Sequence, residues 1–204
     1  VDTFLVPNVG AVDARTRYHA FAEGHLVGDQ YSVTGAMFFL GALQQASANP
    51  PDIIVNLHLV EDNMAISDPA TVSNPDIPGP GQIVASDTVP FSNLLDTVSG
   101  GEVAPNFVDF DNAPVVDYDI IISMDISAIY DVNPLDTVAV LANSDGEGDG
   151  EYTFHRLNQV LTLMDGTPMG SGSIWAPTST VVAAPGGVGL DINFALFPIV
   201  TEPV

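Results

Sequence analysis

Residues 52–61, DIIVNLHLVE, decide the fold class. Ile53, Val55, Leu57 and Leu59 alternate with Ile54, Asn56, His58 and Val60, and a period of two places the first set on one face of a pleated strand. The Pro50-Pro51 pair ahead of it breaks any helix that would run in. The same grammar spreads outward: β-branched and aromatic residues alternate with polar ones and are cut at short intervals by Gly, Pro, Asn and Asp. It predicts strands over residues 17–27, 30–40, 83–91, 106–110, 116–125, 135–142, 151–163 and 190–199, with a Gly28-Asp29 turn between the first two. About nine strands and no helical periodicity predict an all-β chain, a two-sheet antiparallel β-sandwich of jelly-roll type.

Two segments break the spacing. Residues 68–81 (DPATVSNPDIPGPG) carry prolines at 69, 75, 78 and 80 and read as an extended loop, because proline cannot donate to a ladder. Residues 167–189 are similarly rich in small residues around the single Trp175. An apolar run, Phe4-Leu5-Val6, precedes Pro7, so residues 1–14 read as an N-terminal extended arm and residues 15–204 as the sandwich domain. Such an arm either forms the domain's own edge strand or is exchanged with a neighbour.

At 204 residues the length fits one domain, which buries on the order of 70% of its unfolded surface and needs no staples. There is no cysteine, hence no disulfide, thiolate nucleophile or Cys-based zinc site. The net charge of -23 comes from 26 acids set against only 3 basic residues, the arginines Arg15, Arg17 and Arg156. That field repels polyanions and argues against nucleic acid and anionic membrane surfaces as partners. Without an apolar run of about 18 residues, membrane insertion is not expected either. A chain opening on Val rather than Met, with no basic leader, reads as an exported protein after processing.

Several pieces occur together in order: residues 27–41 (VGDQYSVTGAMFFLG), 80–86 (PGQIVAS), 117–122 (DYDIII), 136–146 (DTVAVLANSDG) and 191–200 (DINFALFPIV). This pattern resembles the β-sandwich module found beside type IX secretion sorting domains in secreted and cell-surface proteins of Bacteroidetes. The resemblance implies an extracellular or cell-surface protein whose sorting domain has been cleaved. The absence of lysine and the apolar arm are not part of that pattern.

Chemistry is sparse. Asp145, Glu147, Asp149 and Glu151 alternate with glycines, and oxygen ligands at alternate positions suit calcium, although Arg156 stands where a calcium loop would end in a bidentate glutamate. The same residues also read as a solvated hairpin turn. Asp109, Asp111, Asp117 and Asp119 form a second acidic group on exposed strand faces, and His19, Glu23 and His25 share a parity but spread too far along one strand to close on an ion. His58 and His155 read as hydrogen-bonded or surface residues of the sandwich. Ser171 and Ser173 have no histidine nearby in sequence and no nucleophile elbow.

The reading that follows is a non-enzymatic extracellular structural protein. Copies of itself would be its partners, joined into a filament or surface layer by strand addition through Phe4, Leu5 and Val6. The alternative is a carbohydrate-binding or adhesin module presenting Trp175 and Tyr152 to glycans.

Overall fold

The computed structural model describes residues 2–4, 17–25, 30–61, 79–96, 101–117, 119–131, 136–143, 147–148, 152–162, 168–178 and 192–202. Two antiparallel sheets pack face to face. The strands are β1 (Asp2–Phe4), β2 (Arg17–His25), β3 (Tyr31–Gln44), β4 (Ile53–Glu61), β5 (Gly79–Val89), β6 (Pro105–Asp109), β7 (Val115–Val116), β8 (Ile120–Asp125), β9 (Thr137–Ala142), β10 (Thr153–Thr162), β11 (Pro168–Pro177) and β12 (Leu196–Thr201). One sheet runs β11-β10-β2-β8-β4-β5; the other runs β1-β9-β3-β12, with β6 and β7 also paired to β3. Among the described residues no helix is long and apolar enough to cross a membrane.

The core lies between the sheets and follows the period of two. Ile53, Val55 and Leu57 of β4 and Ile120, Ile122 and Met124 of β8 are buried in it with Phe21, Phe38, Leu40 and Phe194. Phe21 and Phe194 meet edge to face with centroids 5.0 Å apart, the arrangement that aligns the positive ring edge with the negative face.

Three differences from the sequence reading have local causes. The expected single strand over residues 116–125 is two strands in different sheets: Val115–Val116 pairs with β3, and Ile120–Asp125 lies between β2 and β4. The acidic break at Asp117 and Asp119 is where the chain changes sheets, so both residues fall outside the strands. β11 occupies the small-residue segment after Thr167. Its Gly and Ser residues carry little pattern, but β10 supplies an unbroken partner from Phe154 to Leu161. β5 starts at Gly79, inside the expected proline loop, and Pro80 is tolerated because β5 is an edge strand.

The arm takes the domain's own edge over Asp2–Phe4: Asp2 pairs with Ala142, Thr3 with Leu141 and Phe4 with Val140. Leu5 and Val6 lie outside the described residues, as does the Gly28-Asp29 turn.

Candidate functional site

β3 holds β12 along residues 32–38 and β9 along residues 40–44. Phe39 falls between the two ladders, and the second slips in register between Leu40 and Ala42. The lead-in to β12 wedges into the gap: Phe39 N–H donates to the Ala195 carbonyl (3.1 Å), while Ala195 N–H donates to the Leu141 carbonyl (2.9 Å). β3 and β9 therefore splay around Ala195. A cavity of about 590 Å³ opens there, lined chiefly by Phe39, Val103, Leu141, Phe194 and Phe197, with Glu23 and His25 reaching it from β2. That volume lies in the range of ligand pockets.

Glu23 is the structural centre of this region. It is 5% exposed, and its carboxylate accepts from Thr153 Oγ1 (2.9 Å), Asn193 Nδ2 (2.6 Å) and the backbone N–H of Phe194 (2.8 Å). A buried carboxylate is tolerated only when donors surround it, and these come from β10 and from the wedge, so Glu23 ties the wedge to the opposite sheet. His25 does the same one pair further along, donating from Nε2 to the Leu196 carbonyl at 2.8 Å. Its ring lies 6.4 Å from that of Phe197, which in turn meets Phe39 edge to face at 6.3 Å.

The outer face of the same sheet is apolar where a sandwich is ordinarily polar. Met37 pairs with Phe107 on one side and with Phe197 on the other, so the three side chains share a row. Phe107 is 58% exposed and Phe197 41%. Phe39 and Pro105 pair in the next row, which reaches the cavity mouth.

The other sheet carries a polar chain on its outer face. Ser86 Oγ donates to Asn56 Oδ1 (2.8 Å), Asn56 Nδ2 to Ser123 Oγ (3.3 Å), and Ser123 Oγ to His58 Nε2 (2.8 Å). The imidazole closes the chain by donating from Nδ1 to the Gly81 carbonyl at 3.0 Å. The carbonyl can only accept, which fixes the tautomer. A serine hydroxyl against an imidazole is the pairing used in nucleophilic catalysis. Here, however, Ser123 is wholly buried on a central strand and a carbonyl orients the ring, so the geometry serves to cross-link β8, β4 and β5.

Burial pushes the His58 pKa below its ordinary value; the bond to Gly81 opposes this and the nearby Arg156 charge adds to it. Burial likewise lowers His25, against its bond to Leu196. A folded pKa below the unfolded one means that the unfolded chain binds more protons beneath about pH 6.5. The contribution of both rings to stability is complete above that pH and is lost as the pH falls through it. Unfolding midpoints in denaturant between pH 8 and pH 5 should fall towards acid, and His58→Gln should flatten the curve; a His58→Gln profile as steep as the parent's would refute the assignment to His58.

The aromatic residues proposed for glycans lie apart. Trp175 is half-buried against Ala22, Ile121 and Phe154, with its ring edge to face with His58 at 6.0 Å and the Arg156 guanidinium 5.7 Å from its centroid. Arg156 also donates from Nη2 to Asp125 at 2.7 Å. Tyr152 packs over Gly24, whose N–H donates to its carbonyl at 2.8 Å. It precedes Arg156, the pairing partner of Trp175, by four residues, or about 13 Å of strand.

No family model, curated protein or solved structure matches this chain.

Of the residues considered for calcium, Glu147 is exposed, and Asp145, Asp149 and Glu151 lie outside the described residues. Among the described residues no three His, Asp or Glu side chains converge as metal ligands. Asp109, Asp111 and Asp117 are exposed and Asp119 is half-buried. Sequence reasoning had no means of finding the roles of Glu23 and Phe107. A buried acid and a solvent-facing phenylalanine each sit in ordinary strand patterns, and only the pairing partners reveal them.

Proposed function

We propose that this protein is a non-enzymatic extracellular structural protein, whose copies assemble into a filament or surface layer by exchanging the strand that precedes β2. The observation that carries this reading is the pairing of Asp2–Phe4 along the outer edge of β9. A three-residue edge strand is weakly held, and when it leaves, Val140, Leu141 and Ala142 present an unpaired apolar edge that templates another strand. The twelve residues between β1 and β2 reach up to about 40 Å when extended, enough to deliver β1 to a neighbouring β9. Exchange makes the same contacts between copies as within one, so it costs little, and a head-to-tail exchange that does not close propagates as a fibre. The resemblance to type IX modules supports the extracellular setting.

The alternative, a glycan-binding module, draws less support. Trp175 spends its ring on Arg156, His58 and the outer cluster instead of offering an open platform, and Tyr152 lies well away from it.

Negative-stain electron microscopy of the full chain beside a variant lacking residues 1–12 tests the assembly reading. Fibres or sheets are expected from the full chain and isolated particles from the variant. Assemblies that persist unchanged after the deletion would sink the exchange mechanism.

A further inference from the structure

We propose that Thr153 and Asn193 become joined by an internal ester bond that the protein forms on itself, with Glu23 as the catalytic base and acid. The structure shows the three side chains in contact before the bond is made. Thr153 Oγ1 donates to Glu23 Oε2 at 2.9 Å, Asn193 Nδ2 donates to Glu23 Oε1 at 2.6 Å, and the same nitrogen lies 3.4 Å from Thr153 Oγ1. A hydroxyl held by a base and set against a carboxamide is the arrangement an acyl transfer needs. The amide carbon is one C–N bond of about 1.33 Å from that nitrogen, so it lies at most about 4.7 Å from Oγ1. A side-chain shift of about 1 Å places it in the attack range of roughly 3–3.5 Å.

The step balances without a co-reactant. The Thr153 oxygen bonds to Cγ of Asn193 as its proton passes to Glu23. Asn143 Nδ2, 3.4 Å from Asn193 Oδ1, faces the oxygen on which negative charge develops. When the tetrahedral carbon collapses, the Cγ–Nδ2 bond breaks and Glu23 returns the proton to the nitrogen, which leaves as ammonia. The neighbours hold the electrophile in place: Asn143 Oδ1 accepts from the Asn193 backbone N–H at 2.7 Å, and Glu23 Oε2 accepts from the Phe194 N–H at 2.8 Å. An ester lies above an amide in free energy, so the reaction is drawn forward by loss of ammonia, and burial protects the product from water. Thr153 is wholly buried, whereas the cavity reaches Asn143 and Asn193 and gives ammonia an exit.

The bond does in this chain what a disulfide does elsewhere. No cysteine is present, and without lysine no lysine-based amide cross-link can form. Thr153 opens β10 in one sheet, and Asn193 lies in the wedge that enters the other, next to the Phe194–Ala142 bridge. The two residues are 40 positions apart, so the ester closes a loop across the sandwich and restricts the unfolded chain as a disulfide would. It acts within one copy, goes beyond the strand-exchange reading and stands without it.

The intact mass of the full chain is the test. The parent is expected to be lighter than its sequence by about 17 Da, one ammonia, and proteolysis should release a branched peptide carrying both Thr153 and Asn193. Thr153→Val should have the full mass and give two separate peptides, while Thr153→Ser, which keeps the hydroxyl, should lose ammonia again. Glu23→Ala should also keep the full mass, with circular dichroism to establish that it is folded. A parent that stays at full mass after prolonged warming would overturn the proposal. So would a loss that survives Thr153→Val or Glu23→Ala, which would trace the ammonia to an asparagine closing on its own backbone. The masses do not depend on whether copies assemble, so failure here is separate from failure of strand exchange.

Discussion

Replacing Glu23 by alanine is expected to cost about 3 kcal/mol of folding stability, the upper end of the cost of leaving a buried hydrogen-bonding group unsatisfied. Removal of the carboxylate leaves the Phe194 N–H, the Thr153 hydroxyl and the Asn193 amide facing a gap. The hydroxyl can rotate to a new acceptor and the amide can turn, but the backbone N–H of Phe194 is held in place by the wedge between β3 and β9. An orphaned buried donor costs about 1–3 kcal/mol by itself. Glu23→Gln keeps the volume and one acceptor but points an NH₂ group at donors, so it should lose roughly half as much. Equilibrium unfolding in guanidinium chloride reads both values. A loss for Glu23→Ala below about 1 kcal/mol would mean that the three donors find other partners, and that the wedge is held by its backbone bonds to Phe39 and Leu141.

The second large effect is expected at Gly35. A Cβ built there would lie 2.2 Å from the Val108 carbonyl oxygen and 3.3 Å from the Asp109 Cα, both backbone atoms of β6. Backbone cannot swing aside as a side chain can, so Gly35→Ala must push β6 away from β3. The expected loss is about 3 kcal/mol, the upper end of overpacking penalties. Amide hydrogen exchange would locate the damage: Val108 and Phe110, whose N–H groups face β3, should lose protection while β4 and β8 in the other sheet keep theirs. Uniform loss across both sheets, or none, would contradict a β6-specific clash.

Much of the sandwich can be read from local pattern. In residues 52–61 the alternation assigns Ile53, Val55 and Leu57 to the core and Ile54, Asn56, His58 and Val60 to the other face, and the structure places them so. The run from Ile120 to Asp125 behaves likewise, with Ile120, Ile122 and Met124 inward. Pattern failed where composition is mute. β11 alternates Gly and Ser and owes its strand to β10 beside it. The step from β7 to β8 looked like one strand, because nothing in a period of two records a change of sheet.

The candidate contacts divide the same way. An apolar run at Phe4 marks an arm, but its sequence is equally suited to pairing within the chain or with a neighbour; the geometry seats Asp2–Phe4 on β9. Glu23 and Asp136 are acids like any other in a strongly acidic chain. Burial alone would raise the Asp136 pKa, yet its bonds from the Ser47 hydroxyl and the backbone N–H groups of Ser47 and Ala46 outweigh that and hold it below the usual carboxylate value.

By itself, then, the sequence determined the strand class, the inward and outward faces of the central strands, and the net charge. These are properties of neighbouring residues and of sums. Only the tertiary structure decided which strands are edges, where β3 and β9 part around Ala195, and that Phe107, Met37 and Phe197 form one row. Those facts depend on register between segments up to 169 positions apart, and register is set by the packing of whole sheets, which no local window contains.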